Sequence, residues 1–454
     1  TPAPACAPAR VSMLTGRFPN ATRVRTNHNI RDATYARDLV DVLREDGYRV
    51  GISGKNHSHI GPERWDFLFA LGHNGGRGPD RNDHEKAFDR YLADLQHRAA
   101  LKPTPFPLPC QGPYRAVSAA IEWIGTPSEQ PFFLWLSFAE PHNPYQVPEP
   151  YFSMFPPDEI PPPAAGREAL AAKGFTWTWN LRQFQRAFPD FDEQVVRGRA
   201  NYLGMLRLID DQIARLMCFL DEENLRDNTL IVFVSDHGDF VGEYGLLRKG
   251  PEMPEALMRI PLLFHGPGIR PGNRPRSEFV SIADLMPTIC EALDIPLPAG
   301  VQGRSLWPLL TGQPFPEEEF ASVYAEQGFG GLHYTGKESL TPEEEGALNP
   351  SCSFDCLNSW SQSGTMRMIR RKNWKMTMDM QGRGQLYDLE EDPAERHNLY
   401  GNPAYTDTER RLLAELLAWT LRAQDPLPLP RKRYVMKTDP RNWYAPYRQT
   451  PPFS

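Results

Sequence analysis

The chain of 454 residues lacks any apolar run long enough to cross a membrane, and it carries no excess of basic charge. A spanning helix needs about 20 consecutive apolar residues, so we predict a protein without a membrane span. Lysine and arginine together number 50 against 57 aspartates and glutamates, a net charge of −7. This balance argues against a general nucleic-acid binder. An anionic substrate would therefore need a local cluster of cations.

Cysteine is also scarce, and its spacing matches no metal-binding motif. The six cysteines are Cys6, Cys110, Cys218, Cys290, Cys352 and Cys356. The last two either pair with each other or remain reduced, so the sequence leaves the cellular compartment open.

Proline, by contrast, is abundant, and many of its 46 residues gather at 102–109, 148–163 and 425–452. Such clusters predict long ordered loops and an extended tail. Hydrophobic residues make up 40% of the chain and charged residues 24%, which is typical of a soluble globular protein. The length exceeds one compact core, so we expect a large domain and a smaller one.

Strand and helix patterns alternate along the first two thirds of the chain. Apolar spacing predicts helices over 34–46 and 196–223, the first ended by Gly47. Short apolar runs predict strands over 48–53, 132–138, 230–235 and 260–264. The near-continuous apolar run at 230–235 is typical of a parallel sheet buried on both faces. This alternation indicates an α/β sandwich.

Polar motifs follow three of these predicted strands. The first strand is followed by 54–57 (GKNH), the second by 140–142 (EPH) and the third by 236–238 (DHG). In open α/β sheets, functional groups collect at the carboxyl ends of the strands. We therefore expect the three motifs to meet at one edge of the sheet.

The N-terminal stretch Cys6-Ala7-Pro8-Ala9-Arg10, followed by Thr15-Gly16, resembles the Cys-x-Pro-x-Arg signature of the type I sulfatases of the alkaline phosphatase superfamily. In that family a formylglycine-generating enzyme oxidises the cysteine to formylglycine. The resemblance implies an alkaline-phosphatase-like α/β fold: a large mixed, mostly parallel sheet between helices, with a smaller C-terminal α+β subdomain.

The family's chemistry explains why a cysteine is modified. A thiolate that attacked a sulfate ester would be left as a thiosulfate with no easy exit, although it is a strong nucleophile. A hydrated aldehyde carries two hydroxyls on one carbon. One attacks sulfur and expels the alcohol, and the other, once deprotonated, collapses to the aldehyde and releases sulfate.

The resemblance also implies roles for individual residues. Arg10 would brace the nucleophile, and Lys55 would contact both the sulfate and the nucleophile. His57 would support the base that regenerates the aldehyde, and His142 would contact the sulfate or the leaving oxygen. Lys249 offers a second sulfate-binding cation. Three cations around one anion would offset the charge that develops in a water-poor pocket.

Asp236 and His237 match the segment that supplies two metal ligands in the family, together with an oxygen derived from Cys6. Calcium is the expected ion because hard cations prefer oxygen ligands, while the imidazole makes manganese an alternative. Sulfatases normally open with an apolar strand that ends in two metal-binding aspartates. Because the nucleophile lies at position 6, we expect that strand to be missing before Thr1. The alternative is that the protein has lost half of its metal site.

The C-terminal third resembles the family's smaller subdomain. Residues 365–380 predict an antiparallel hairpin that turns at 372–373, and a helix is expected over 407–423. The insert at 326–364 either shapes the substrate pocket or forms a surface loop. We predict a catalytic domain over 1–315, a C-terminal subdomain over 316–424 and a Pro-rich extended tail over 425–454.

Taken with the family, the motifs predict a sulfatase that hydrolyses a sulfate ester, on family grounds that of a sugar. Its partners would be a small-molecule or oligosaccharide sulfate ester and, during maturation, the formylglycine-generating enzyme. One alternative is a phosphonate or phosphate ester hydrolase of the same superfamily. Another is an inactive carbohydrate-binding relative, although the retained site residues argue against it. The oligomeric state is left open.

Overall fold

A computed structural model describes residues 1–76, 81–272, 274–330, 364–424 and 441–444. Cys352, Cys356, nearly all of the predicted insert and most of the predicted tail lie outside these ranges. The predicted domain boundaries at 315 and 424 remain predictions.

A four-stranded sheet forms the centre of the large domain. Its strands are β1 (Arg49–Gly54), β2 (Phe67–Gly72), β3 (Gly75–Gly76) and β4 (Phe132–Ser137), in the order β3-β2-β1-β4. β1 pairs in parallel with both β2 and β4, whereas β3 joins the edge of β2 antiparallel. The sheet is therefore mixed and mostly parallel, as predicted.

Helices occur along the whole of the described chain. Within the described residues they are α1 (Cys6–Thr15), α2 (Pro19–Thr22), α3 (Leu39–Glu45), α4 (Asp83–Leu95), α5 (Gly112–Gly125), α6 (Leu170–Lys173), α7 (Phe175–Ala187), α8 (Phe191–Glu222), α9 (Glu255–Met258), α10 (Leu285–Ala292), α11 (Trp307–Thr311) and α12 (Thr406–Gln424). None of these helices combines the length and apolar character that a membrane crossing would need.

The two faces of β1 show how the layers form. Val50 and Ile52 are fully buried in a core that also contains side chains of α1, α3 and α10. The alternate residue Ser53 donates a hydrogen bond to the carbonyl of Ala116 on α5, at 2.7 Å. Successive side chains of a strand point to opposite faces, so helices cover both sides of β1. The predicted α/β sandwich is thereby confirmed.

The predicted strand at 230–235 differs from expectation in its pairing. β5 (Ile231–Val234) pairs antiparallel with β6 (Leu262–His265) in a separate two-stranded sheet. Phe233 is 43% exposed and Leu263 is 58% exposed, so one face of this pair is open to solvent, which antiparallel strands tolerate. The prediction of a parallel strand buried on both faces was therefore wrong here.

The C-terminal subdomain contains a second four-stranded sheet. Its strands are β7 (Ser322–Gln327), β8 (Met366–Arg371), β9 (Trp374–Asp379) and β10 (Gly384–Asp388), all antiparallel and in the order β10-β9-β8-β7. The hairpin predicted to turn at 372–373 is present, and α12 packs against β8. Both predicted elements are confirmed.

Candidate active site

The first turn of α1 places Cys6 at the centre of the site. All ten residues of the helix are buried, and Cys6 is only 1% exposed. The N-cap residue Ala5 offers no side-chain acceptor, but the Asn27 side-chain oxygen accepts a hydrogen bond from the Ala7 N–H at 2.9 Å. Free N–H groups and the helix dipole at such an end favour negative charge.

Two basic side chains contact the Cys6 thiol. Its Sγ lies 3.0 Å from His237 Nε2 and 3.4 Å from Lys55 Nζ. Burial by itself raises the pKa of Cys6, but Lys249, Lys55 and His237 together hold that pKa well below its usual range. The position therefore stabilises negative charge on the atom attached to the Cys6 Cβ.

Arg10 ties α1 to the ends of the strands. Its Nε lies 2.7 Å from Asp236 Oδ2, just beyond β5. Its Nη1 donates to the Lys55 carbonyl at 2.8 Å and to Ser137 Oγ at 2.8 Å, beyond β1 and at the end of β4. The structure thus brings together the ends of all three motif-bearing strands, even though β5 belongs to a separate sheet.

The backbone around Gly54 explains how Lys55 reaches the thiol. Gly54 has a φ of 111°, and a Cβ at this position would lie 2.0 Å from the Ser137 carbonyl oxygen. Only glycine fits this close approach. The Lys55 N–H then donates to the same oxygen at 2.7 Å. Burial lowers the pKa of Lys55, whose side chain turns toward Cys6.

Lys249 and His142 meet on another side of the pocket. Lys249 Nζ lies 3.1 Å from His142 Nε2. His142 Nδ1 is 2.8 Å from the carbonyl of Asn143, which only accepts, so this nitrogen carries the ring hydrogen. Burial, His73 and the lysine cations hold the pKa of His142 well below its usual range. In this structure a neutral His142 therefore accepts a hydrogen bond from Lys249.

Two more histidines lie near these groups. His57 has a φ of 43°, and its Nδ1 is buried without a hydrogen-bond partner among the described residues. His73, in the turn between β2 and β3, stacks on the His142 ring with centroids 3.8 Å apart and an interplanar angle of 29°. Sequence motifs did not identify His73 or Asn27. His73 does follow the carboxyl end of β2, a signal that would have drawn attention to it.

A possible metal group consists of Cys6, Asp236 and His237, whose ligand atoms all lie within 4.8 Å of one another. His237 Nδ1 faces the Gly238 carbonyl at 2.7 Å, so the ring hydrogen is held there and Nε2 is left to bind. Burial raises the pKa of Asp236, yet His237 and Arg10 lower it well below its usual range and keep the carboxylate ionised. These donors fit a divalent cation.

Comparison with known proteins gives a consistent result. The family model described as Sulfatase matches residues 1–295. The chain is 27% identical to the multifunctional alkaline phosphatase superfamily protein PehA of Trinickia caryophylli, over 92% of this chain and 86% of the relative. It is also 27% identical to a choline-sulfatase of Rhizobium meliloti, over 89% of this chain and 74% of the relative.

Solved structures support the fold. A phosphonate monoester hydrolase of Agrobacterium radiobacter superimposes with a TM-score of 0.74 at 24% identity, covering 92% of this chain and 86% of that one. A 2-O GAG sulfatase superimposes with a TM-score of 0.63 at 19% identity, covering 97% of this chain and 86% of that one. The predicted alkaline-phosphatase-like fold is confirmed.

Proposed function

The chain belongs to the sulfatase family, and we therefore propose that it cleaves the sulfate ester of a sugar through a formylglycine made from Cys6. Its reaction class, hydrolysis of a sulfuric ester, follows from the family match and from sulfatase relatives. The family and enzyme class predicted from the sequence are thereby confirmed. The nucleophile, the metal and the sugar are the proposed parts.

One observation carries the proposal: the buried Cys6 thiol, whose Sγ lies 3.0 Å from His237 Nε2 and 3.4 Å from Lys55 Nζ. Sγ occupies the place where formylglycine would carry an oxygen. When hydrated, that group supplies a hydroxyl nucleophile and a second hydroxyl whose deprotonation releases sulfate. The chain's own contribution is a pre-organised positive field at this point, which stabilises charge as it develops.

The remaining site residues have separate roles around the Cys6 Sγ position. Lys55 and Lys249 are 5% and 7% exposed, so their charges act in a pocket with little water to screen them. We assign them to the sulfuryl oxygens. Arg10 holds Lys55 and Asp236 in place, and His142 orients the Lys249 ammonium group.

A divalent cation would be held by Asp236, His237 and the Cys6-derived oxygen. Such an ion polarises a bound oxygen and lowers the pKa of a coordinated hydroxyl. Calcium is the first choice and manganese the alternative, as the mixed oxygen and nitrogen donors suggest.

A sugar is proposed as the alcohol half on family grounds, and a 2-O GAG sulfatase is among the solved structures that share the fold. The competing assignment is a phosphonate or phosphate ester hydrolase. A relative described as multifunctional within the alkaline phosphatase superfamily keeps that assignment open to test.

Activity profiling tests the substrate class. The protein is co-expressed with a formylglycine-generating enzyme and assayed against an aryl sulfate, a panel of sulfated sugars and phenyl phosphonate monoesters. We expect the highest kcat/KM with a sulfated sugar. A preference for phosphonate monoesters would favour the competing assignment. No turnover by protein that contains formylglycine would indicate the inactive carbohydrate-binding relative.

The nucleophile has its own test. Peptide mass spectrometry should show conversion at Cys6, and Cys6→Ala should remove all turnover while leaving the thermal midpoint close to that of the wild type. Cys290 is likewise 1% exposed, so Cys290→Ala is the matched control and should keep its activity. Wild-type turnover by Cys6→Ala would rule out the proposed nucleophile.

A further inference from the structure

The segment that follows Lys249 is held by the C-terminal sheet. Lys375 on β9 is fully buried, with an exposed fraction of 0%. Its Nζ donates to the carbonyl of Met253 at 2.5 Å. The same ammonium forms ion pairs with Glu395 at 2.8 Å and with Glu255 at 3.2 Å. One buried cation therefore joins the C-terminal subdomain to the backbone four residues beyond Lys249.

Further contacts hold the same segment. Gln385 Nε2 on β10 donates to Glu252 Oε2 at 2.8 Å. The Glu255 N–H donates to Glu395 Oε2 at 2.7 Å, and Arg370 on β8 pairs with Glu255. An apolar cluster completes the contact, and its buried members are Met253, Met258, Ala325 and Met368. Polar and apolar contacts thus fix residues 252–258 against the C-terminal sheet.

The residue before Lys249 is anchored to the large domain. The Arg248 N–H donates to Asp239 Oδ1 at 2.8 Å and lies 3.0 Å from the Tyr145 hydroxyl. Tyr145 in turn donates to Asp239 Oδ2 at 2.9 Å. Lys249 therefore lies between an anchor in the large domain and an anchor in the C-terminal subdomain, with its Nζ 3.1 Å from His142 Nε2.

We propose that Lys375 is a positioning residue, which places the Lys249 ammonium group in the anion pocket and makes the C-terminal subdomain part of the active site. This step rests on the proposed function, because it takes Lys249 to bind the sulfuryl group. A lysine buried without water is costly unless carboxylates and a carbonyl surround it. That cost is offset here by contacts that fix residues 252–258, the segment that directly follows Lys249.

A double-mutant cycle tests the proposal. Lys375→Met, Lys249→Ala and the double variant are compared by kcat/KM on an aryl sulfate, with formylglycine present in each. If Lys375 acts through Lys249, its loss lowers kcat/KM about tenfold or more in the wild-type background, since small misplacements of binding groups are costly. In the Lys249→Ala background the same loss should fall below about twofold.

Arg115→Met is the matched control. Arg115 is 5% exposed and pairs with two carboxylates, Glu85 and Asp89, each at 3.0 Å. Among the described residues it forms no hydrogen bond or ion pair with 249–258. Its effect should be the same in both backgrounds. If Lys375→Met does not fold, as judged by its thermal midpoint, Gln385→Leu replaces it in the cycle and tests the same anchor of residues 252–258. It removes the hydrogen bond to Glu252 and the one accepted from the Tyr387 hydroxyl, but no charge.

Calorimetric binding of inorganic sulfate repeats the cycle without turnover, and so separates the two proposals. A wild type that binds sulfate but cleaves no sulfate ester would contradict the proposed function, while the binding cycle would still decide the role of Lys375. If Lys375→Met lowers sulfate affinity equally in the wild-type and Lys249→Ala backgrounds, that role is overturned. It is also overturned if sulfate binding is the same in the wild type and in Lys249→Ala.

Discussion

The two carboxylate oxygens of Asp236 contact different partners, one on α1 and one on the adjacent backbone. Oδ2 pairs with Arg10 Nε at 2.7 Å, and Oδ1 accepts the His237 N–H at 3.0 Å. Carboxylate oxygens accept several bonds at once, so these contacts orient the group without using up its capacity for a metal. The Asp236 carboxylate thus connects α1 to the end of β5 and also belongs to the proposed ion site.

We predict that Asp236→Asn lowers metal binding. The amide keeps a hydrogen-bond acceptor for Arg10 but loses the negative charge that a hard cation prefers. Metal content per chain, measured by mass spectrometry of the protein loaded with calcium or manganese, should fall well below that of the wild type. Asp239→Asn, a change at a carboxylate three positions further along the chain, is the control and should keep its metal. Equal content in the Asp236 variant would contradict the assignment.

The His73 ring gives a second prediction at this scale. Its stacking on His142 fixes the orientation of a ring that contacts Lys249. Aromatic stacking contributes about 0.5–1.5 kcal/mol, so His73→Ala should lower kcat/KM roughly two- to tenfold. His73→Phe keeps the stacked face and should stay close to the wild type. A large defect in His73→Phe would show that a ring nitrogen, and not the stacking, is what matters.

The limits of sequence reasoning are visible at these residues. Cys6, Lys55 and Lys249 belong to motifs with a recognisable order, so a resemblance found them. His73 and Asn27 occur in no such motif, and only the folded chain brings them beside His142 and Ala7. The acceptor state of His142 likewise depends on its contact with the Asn143 carbonyl, which no pattern of residues encodes.

At the scale of elements, α3 begins with a buried carboxylate that serves several partners. The Asp38 side chain accepts from the Asp41 N–H in a capping box, lies 2.8 Å from His59 Nε2 and pairs with Arg64. Burial raises the pKa of Asp38, but the bonds to His59 and Arg64 outweigh it and lower that pKa from 3.8 to about 2. The folded state therefore favours the ionised form.

This pKa predicts a specific acid sensitivity. A carboxyl whose pKa is lower in the folded state stabilises the protein above its unfolded pKa, here by about 2 kcal/mol. That contribution should disappear as the pH falls from about 4 to about 2. Asp38→Asn cannot titrate, so the gap in denaturation midpoint between wild type and variant should narrow over that window. If the difference in denaturation midpoint does not change with pH, the charge of Asp38 is not the source of the difference in stability.

Elements with a strong local pattern were predicted well, whereas pairing was not. The spacing of Leu39, Val42 and Leu43 indicated α3, and the apolar run before Gly54 indicated β1. The strand at 230–235 was also recognised, but its antiparallel partner was not. A strand's partner depends on distant contacts more than on its own sequence, so the pattern alone did not reveal the open face at Phe233.

At the scale of the whole molecule, the fold was predicted by the order of its motifs. Periodicity supported an α/β class, and the family resemblance supplied the mixed sheet and the smaller C-terminal subdomain. Neither the periodicity nor the resemblance indicated how the C-terminal subdomain contacts the segment that follows Lys249. The contacts of Lys375 with the segment after Lys249 arise from residues more than 100 positions apart, and such separations leave no local signal.

The burial of Cys6 also bears on the order in which the chain would be modified and folded. Under the proposed function, the modifying enzyme has to reach Cys6, yet here α1 is wholly buried and Arg10 is bonded to the ends of three strands. Because the folded chain leaves this site inaccessible, the proposed oxidation of Cys6 has to precede folding. A molecule that folds first would keep an unmodified thiol at position 6 and, under the proposed mechanism, would not turn over.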